Sequence, residues 1–254
     1  MAVLVSVLLP AYQAQATILA AVQSIYAAGL PSDQFEILVE SDDGDDYAQL
    51  AALPSVKISC SGVVKSGVGP ARNRALLRSN GRYITYLDAD DIWEDGYLSS
   101  LLPLMQRSAA AAAPLKVQEE EEVILSLWQE LAVLTRADMA KSGASARGLF
   151  AREVFMPFEN LPSQDIFHTV KVIEACGGAM PLSKVAYLLR LRAQSVTQDR
   201  DFAQKVHQAY LTYVQMLKDP ESIEVFQAKI KLNEDFSRNS AGRSYYRFIA
   251  DLKS

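Results

Sequence analysis

The chain has 254 residues, half of them hydrophobic and 22% charged, with a formal net charge of −5. That length builds one sizeable α/β domain, or one domain with a small appendage, and the composition is that of an ordinary soluble globular protein. The acidic balance argues against a nucleic-acid partner, which is normally met by a basic face.

Val3-Leu4-Val5-Ser6-Val7-Leu8-Leu9 is a nearly continuous apolar run rich in β-branched residues. It suits a strand buried on both faces, hence a mostly parallel sheet flanked by helices. The run has no basic segment before it and stops at Pro10, too short for a secretory leader, and no stretch approaches the ~20 apolar residues that span a bilayer. The expectation is a cytoplasmic protein, with contact at a membrane surface left open. After Pro10-Ala11-Tyr12-Gln13, the helical spacing of Ile18, Val22, Ile25 and Tyr26 predicts a helix over 17–28 that stops at Gly29. Phe35-Glu36-Ile37-Leu38-Val39 is the second strand, and it empties into Asp42-Asp43-Gly44. Carboxylates at a strand's carboxyl end can accept from a nucleobase N–H or ribose hydroxyls, although Asp-Gly clusters also simply make turns.

A short third strand over 56–59 precedes the glycine-bearing loop Lys65-Ser66-Gly67-Val68-Gly69-Pro70. The loop enters a helix over 71–79 that places Arg72 and Arg74 near its start, where phosphates are favoured. Next, the apolar strand Tyr83-Ile84-Thr85-Tyr86-Leu87 runs into Asp88-Ala89-Asp90-Asp91. Residues i and i+2 of a strand share a face, so Asp88 and Asp90 project together. Two hard oxygen ligands beyond a strand's end, with room for phosphate oxygens, suit Mg²⁺ or Mn²⁺ holding a diphosphate. Alone, the triplet is a weak signal and reads as a solvated acidic turn. Its neighbours raise it.

Trp93 begins a further helix with Leu98, Leu101, Leu102 and Met105 on its apolar side. Residues 109–113 and 119–122 are runs of alanine and glutamate, read as a solvated, mobile surface excursion. Asp165 stands at the start of a helix over 166–175, where a carboxylate is most often a cap but also serves as a general base. His168, one turn in, reads as structural. The last strand lies over 185–191, followed by Arg192 and Ser195-Val196-Thr197, and from Asp199 the aromatic spacing becomes helical. Cys60 and Cys176 lie far apart without metal-type spacing and read as free thiols.

Four segments in this order resemble the large family of inverting glycosyltransferases with the GT-A fold. They are the opening strand with Pro10-Ala11-Tyr12, the Asp42-Asp43-Gly44 turn, Ala71-Arg72-Asn73-Arg74-Ala75, and Leu87-Asp88-Ala89-Asp90-Asp91. Phe158-Glu159 through Gln164-Asp165 is similar to the segment that supplies the family's base. The resemblance implies a GT-A domain over 1–198, Rossmann-like with a mostly parallel sheet, and a C-terminal helical extension over 199–254 packed on it. It implies that Pro10, Ala11 and Tyr12 line the nucleoside pocket and that Asp42 or Asp43 reads the base. Arg72 would contact the base or diphosphate, Asp88 the ribose, with Ala89 between them, and Asp90 would ligate Mn²⁺ or Mg²⁺. Asp165 would take the acceptor proton. The donor implied is a nucleoside-diphosphate sugar, uridine being the family's commonest base, and the acceptor a carbohydrate or lipid-linked hydroxyl shaped by residues 115–156. Two positions depart from the family pattern. Gln164 replaces a frequent Glu, and Arg192 stands where a His can assist at the metal. Arginine has no lone pair to offer a cation, so Arg192 could bind the diphosphate directly, with the metal held weakly or partly replaced. A non-catalytic nucleotide-sugar-binding protein and a retaining transferase share these segments. A sugar nucleotidyltransferase does not fit, because residues 10–14 contain no glycine.

Overall fold

The computed structural model describes residues 3–192, 200–239 and 242–253. In chain order, β1 (Val5–Ala11), α1 (Ile18–Tyr26), β2 (Phe35–Ser41), β3 (Val56–Ser59), α2 (Val68–Leu77) and β4 (Tyr83–Tyr86) form the first half of the domain. There follow β5 (Ile92–Trp93), α3 (Tyr97–Leu101), β6 (Ala110–Ala113), β7 (Leu115–Glu119), β8 (Glu122–Leu127), β9 (Val133–Thr135), α4 (Arg136–Ser142) and β10 (Arg147–Ala151). The chain continues through α5 (Gln164–Ala175), β11 (Ala179–Pro181) and β12 (Tyr187–Leu191) to three C-terminal helices, α6 (Arg200–Met216), α7 (Pro220–Asn239) and α8 (Tyr245–Asp251).

The central sheet has the order β3-β2-β1-β4-β10-β6. The first four strands are mutually parallel, and β10 runs against both its neighbours. Strand order therefore reverses between β1 and β4, and the crevice beyond their carboxyl ends is where such sheets bind ligands. The continuous apolar run of β1 explains its central place. Val5, Val7, Leu9 and Ala11 enter one core with α1, while Leu8 enters the other with Ala75 of α2. A second sheet, β5-β12-β7-β8, continues from the end of β4 through β5.

The alanine run is no surface excursion. Ala110–Ala113 forms the edge strand β6, with all four residues fully buried. Its side chains alternate between the two cores, Ala111 and Ala113 to one, Ala110 and Ala112 to the other. Across the pairing, a Cβ on Gly148 would lie 2.0 Å from the Ala111 carbonyl oxygen, so the strands close only over a glycine. Alanine carries no β-branched signal, which hid the strand. The glutamates are the tip of the ordered β7–β8 hairpin, and Arg247 of α8 holds Glu119 there (Nε to Oε2, 3.1 Å).

The C-terminal helices share the second core: Val206, Tyr210, Tyr213, Val225 and Phe226 pack with Ile84 and Phe150 of the sheet and Ile166 of α5. The boundary expected at 198/199, and Ser195 to Thr197 beside it, lie outside the described residues. No described helix is long and apolar enough to cross a membrane.

Candidate active site

The ends of β1 and β2 form the first cluster. Pro10 and Ala11 are buried, and Tyr12 is 45% exposed at the surface beyond them. Asp42 is tied inward: its carboxylate accepts from Ser66 Oγ, Gly67 N (3.0 Å) and Arg74 Nη2 (2.9 Å). Asp43 accepts from Gln13 N (2.6 Å), Tyr47 Oη (2.8 Å), Asp45 N (3.1 Å) and Ser41 Oγ (3.0 Å), which fills its four lone-pair positions. Burial pushes both carboxyls up, but these donors outweigh it and hold them below the usual range. Glu40, buried on the same β2 face, pairs with Arg74 Nε and Arg78 Nη2, each at 2.7 Å. Arg74 therefore serves the internal acids of β2 rather than a phosphate.

Helix α2 sits between this cluster and a second. Its start approaches residues 158–164 so closely that a Cβ on Gly69 would lie 2.6 Å from the Glu159 carbonyl oxygen. Asn73 fastens the contact by donating from Nδ2 to Phe158 O and accepting from Phe158 N at Oδ1, both 2.8 Å. Arg72, 1% exposed, lies with its guanidinium 4.4 Å from the Tyr86 ring centroid and 5.0 Å from that of Phe158. It donates to Asp88 Oδ1.

The strand ends at Tyr86, one residue before the sequence predicts, and Asp88 to Asp91 form a turn. The three acids of this turn have separate surroundings. Asp88 is held by Arg72, with Arg147 Nη2 at 3.5 Å. Asp90, with a side chain 48% exposed, has Arg192 Nε at 3.8 Å, so Arg192 does stand beside the proposed metal ligand. Partial desolvation and then the Asp88 charge raise the Asp90 pKa, a crowding that a cation would relieve. Asp91 is buried and accepts from Tyr187 Oη (2.7 Å) and Arg190 N (2.9 Å), which pins β12 to the turn. Ala89 is 6% exposed and packs in the core.

Asp165 lies opposite, in the first turn of α5. Ser163 takes the N-cap position in a left-handed conformation (φ 58°) without a side-chain cap bond, and Asp165 is the second residue of the helix. The Asp165 carboxylate accepts from the Ile166 backbone amide at Oδ1 (3.0 Å) and from Ser145 Oγ at Oδ2 (2.7 Å), with Arg147 Nη1 2.9 Å away. Burial raises its pKa, but Arg147, then Arg72, then the Ser145 bond bring it below the usual carboxylate range. His168 is confirmed as a core residue, 2% exposed and stacked on Phe158 at 4.7 Å.

Arg147 and Ser145 escaped the sequence reading. Arg147 starts the buried strand β10, and one guanidinium reaches both Asp165 and Asp88. The available signal was a lone Arg between Ala146 and Gly148-Leu149-Phe150, a charge entering an apolar strand. Its partners are distant in sequence, so nothing local identified its role.

Arg72, Asp88, Asp90, Arg147 and Asp165 line one cavity of about 290 Å³. Its far wall is aromatic and comes from the C-terminal helices: Tyr210, Phe236, Tyr245 and Tyr246. Within the stretch 115–156, expected to shape an acceptor pocket, the lining comes from Gly143, Ala144, Ser145 and Arg147. The predicted nucleoside residues Pro10, Ala11, Tyr12, Asp42 and Asp43 do not border this cavity and remain with the β1–β2 cluster. Among the described residues no three acidic, His or Cys side chains converge as a metal cage. Asp90 as a carboxylate ligand, with substrate phosphates completing the shell, fits the manner in which Mg²⁺ is commonly held.

The sequence pattern of the family described as "Glycosyl transferase family 2" matches residues 6–159. The UDP-Glc:alpha-D-GlcNAc-diphosphoundecaprenol beta-1,3-glucosyltransferase WfgD of Escherichia coli is 33% identical over 109 residues, 41% of this chain and 42% of that protein. The putative teichuronic acid biosynthesis glycosyltransferase TuaG of Bacillus subtilis (strain 168) is 34% identical over 113 residues, 42% of this chain and 44% of that protein. The match thus spans less than half the length of these relatives. Staphylococcus aureus TarS 1-349 in complex with UDP-GlcNAc superposes with a TM-score of 0.67 at 17% identity, covering 92% of this chain and 73% of that one. The mannosyltransferase PcManGT from Pyrobaculum calidifontis, in complex with GDP-Man and Mn2+, gives 0.66 at 17% identity, covering 98% and 73%. At such identity these structures establish the fold.

Proposed function

Because the chain belongs to glycosyl transferase family 2 and has the GT-A fold, we propose that it transfers a sugar from a UDP-sugar to a carbohydrate or lipid-linked hydroxyl, with inversion. The observation that carries this reading is the Arg147 guanidinium spanning Asp88 and Asp165. It puts the acid turn that would face the donor and the carboxylate that would face the acceptor within reach of one side chain. The names of WfgD and TuaG support a glycan acceptor, and the UDP-GlcNAc of the TarS complex supports a UDP-sugar donor.

In this reading the β1–β2 cluster, Pro10, Ala11 and Tyr12 with Asp42 or Asp43, receives the nucleoside. Both carboxylates already accept from internal donors, and Asp43, less buried than Asp42 (4% exposed), is the more accessible of the two to the base. Asp88 meets the ribose and stays oriented by Arg72. Asp90 holds Mn²⁺ or Mg²⁺, which when bound offsets charge on the departing diphosphate as a Lewis acid. Arg192, beside Asp90, donates to the same diphosphate. Asp165 takes the proton from the acceptor hydroxyl, and Ser145 and Arg147 fix the carboxylate's direction. Because Arg147 keeps Asp165 ionised, the base is ready at neutral pH without first losing a proton. Attack from the Asp165 side inverts the anomeric carbon, and no covalent enzyme intermediate forms. A work site at a membrane surface agrees with a lipid-linked acceptor.

A non-catalytic nucleotide-sugar-binding role draws on one observation, the engagement of Asp165 by Arg147, which lowers its basicity. One set of measurements separates the two. UDP is titrated calorimetrically into the protein with and without Mn²⁺, and UDP release from UDP-glucose and UDP-GlcNAc is followed with glycan acceptors. Asp90→Asn is expected to lose the Mn²⁺-dependent gain in UDP affinity. Asp165→Asn is expected to keep UDP affinity and to lose transfer by ~10²–10⁴-fold. UDP binding by the wild type with no transfer to any acceptor would favour the binding role. UDP binding equal with and without Mn²⁺ would remove the metal assignment.

A further inference from the structure

Lys229, in the middle of α7, is fully buried. Its Nζ donates to the carbonyl oxygen of Ala144 at 3.0 Å, an oxygen that Ser142 Oγ also approaches at 3.2 Å. Removing an ammonium from water is costly unless something inside the protein repays it, and an unbranched apolar side chain such as Met would fill the same space without that cost. The position of the acceptor gives the reason. Ala144 belongs to the loop between α4 and β10, followed by Ser145 and, at the start of β10, Arg147, the two partners of Asp165. The loop's front lines the cavity, and its back is pressed onto the C-terminal helices. At Gly143, in a left-handed turn (φ 69°), a Cβ would lie 2.9 Å from Ile249 Cδ1 and from Leu232 Cδ2, and 3.1 Å from Tyr245 Oη.

We propose that Lys229 is a positioning residue: by holding the Ala144 carbonyl, it sets the 143–147 loop so that Ser145 and Arg147 meet Asp165. The C-terminal helices thereby complete the reactive centre from behind, although they lie beyond the stretch matched by the family pattern. The catalytic consequence rests on Asp165 acting as the base, whereas the bracing of the loop does not.

The test therefore has two readouts. Amide hydrogen exchange over residues 143–147 is compared in the wild type, in Lys229→Met, and in Val225→Ala, a cavity control one turn earlier on the same helix. UDP release from UDP-glucose and calorimetric UDP affinity are measured on the same samples. Removing the Lys229 donor, which leaves the Ala144 carbonyl only the longer contact from Ser142 Oγ (3.2 Å), is expected to speed exchange in this loop on the order of tenfold in Lys229→Met. Val225→Ala is expected to leave the loop's exchange at the wild-type level relative to the rest of α7. UDP affinity should stay unchanged in both, while turnover in Lys229→Met falls by on the order of 10- to 100-fold through misplacement of the base. Unchanged loop exchange in Lys229→Met, or equal loosening in both variants, would overturn the bracing. Loosened exchange with unchanged UDP release would overturn the positioning role. A wild type inactive on every UDP-sugar would count against the transfer reading alone, since the exchange comparison stands without it.

Discussion

His168 shows how a residue that looks chemical can be purely structural, and what that costs. Its ring lies among Tyr86, Phe150, Phe155 and Phe158, and neither nitrogen finds a hydrogen-bond partner among the described residues. Burial, then the nearby Arg72 charge, pulls its pKa down to about 3. The unfolded chain takes up a proton here near pH 6.5 and the folded protein does not, so stability is present above that pH and declines as pH falls from 6.5 towards 3. The group's contribution is a loss of about 2 kcal/mol between pH 7 and pH 5. His168→Phe removes the uptake, and denaturant melts at the two pH values should show a correspondingly smaller difference than in the wild type. A residue's identity was legible here but its partners were not. The same held for Arg147, whose two acids lie 59 residues upstream and 18 residues downstream in the chain.

At the scale of elements, the approach of α2 to residues 158–164 depends on Gly69 and on the Asn73 side chain. Asn73→Ala leaves the Phe158 N–H and carbonyl without their partner. A loss of about 1–3 kcal/mol is expected, read as a lower urea midpoint at unchanged slope. Because Phe158 also stacks on Arg72, a weaker response to UDP should accompany it. A variant with native stability would show that water replaces the side chain. The sequence displayed the helix and its arginines but not their directions. The directions follow from α2 lying between β2, which carries Glu36 and Glu40 on one face with Asp42 just after its end, and the Asp88 turn that follows β4. The reverse failure occurred at β6. Four alanines have no periodic signal of their own, and only the fit between two cores and Gly148 makes them a strand.

Across the whole molecule, the sheet and the C-terminal helices share one core. Phe226 of α7 is fully buried, with ring centroids 5.2 Å from Tyr213, 5.7 Å from Tyr210 and 6.0 Å from Phe167 of α5. Phe226→Ala should cost about 3–5 kcal/mol. In a Trp128→Phe background, which leaves one tryptophan, the loss should appear in step in far-UV circular dichroism and in the fluorescence of Trp93, which sits in β5 away from this contact. A tail that melted first, with the Trp93 signal unmoved, would instead mark 199–254 as a separately folding unit.

The sequence by itself determined the α/β class, the order of the four motif segments and the acids at the ends of β2 and β4. Each of these is a local pattern: an apolar run, a turn residue, or a charge at a strand's end. Tertiary structure alone decided that Arg147 joins Asp88 to Asp165, that Asp42 is tied to Ser66, Gly67 and Arg74, and that the C-terminal helices wall the cavity. Those facts depend on contacts between residues far apart in the chain, and burial, which sets their charge states and energies, exists only once the chain has closed.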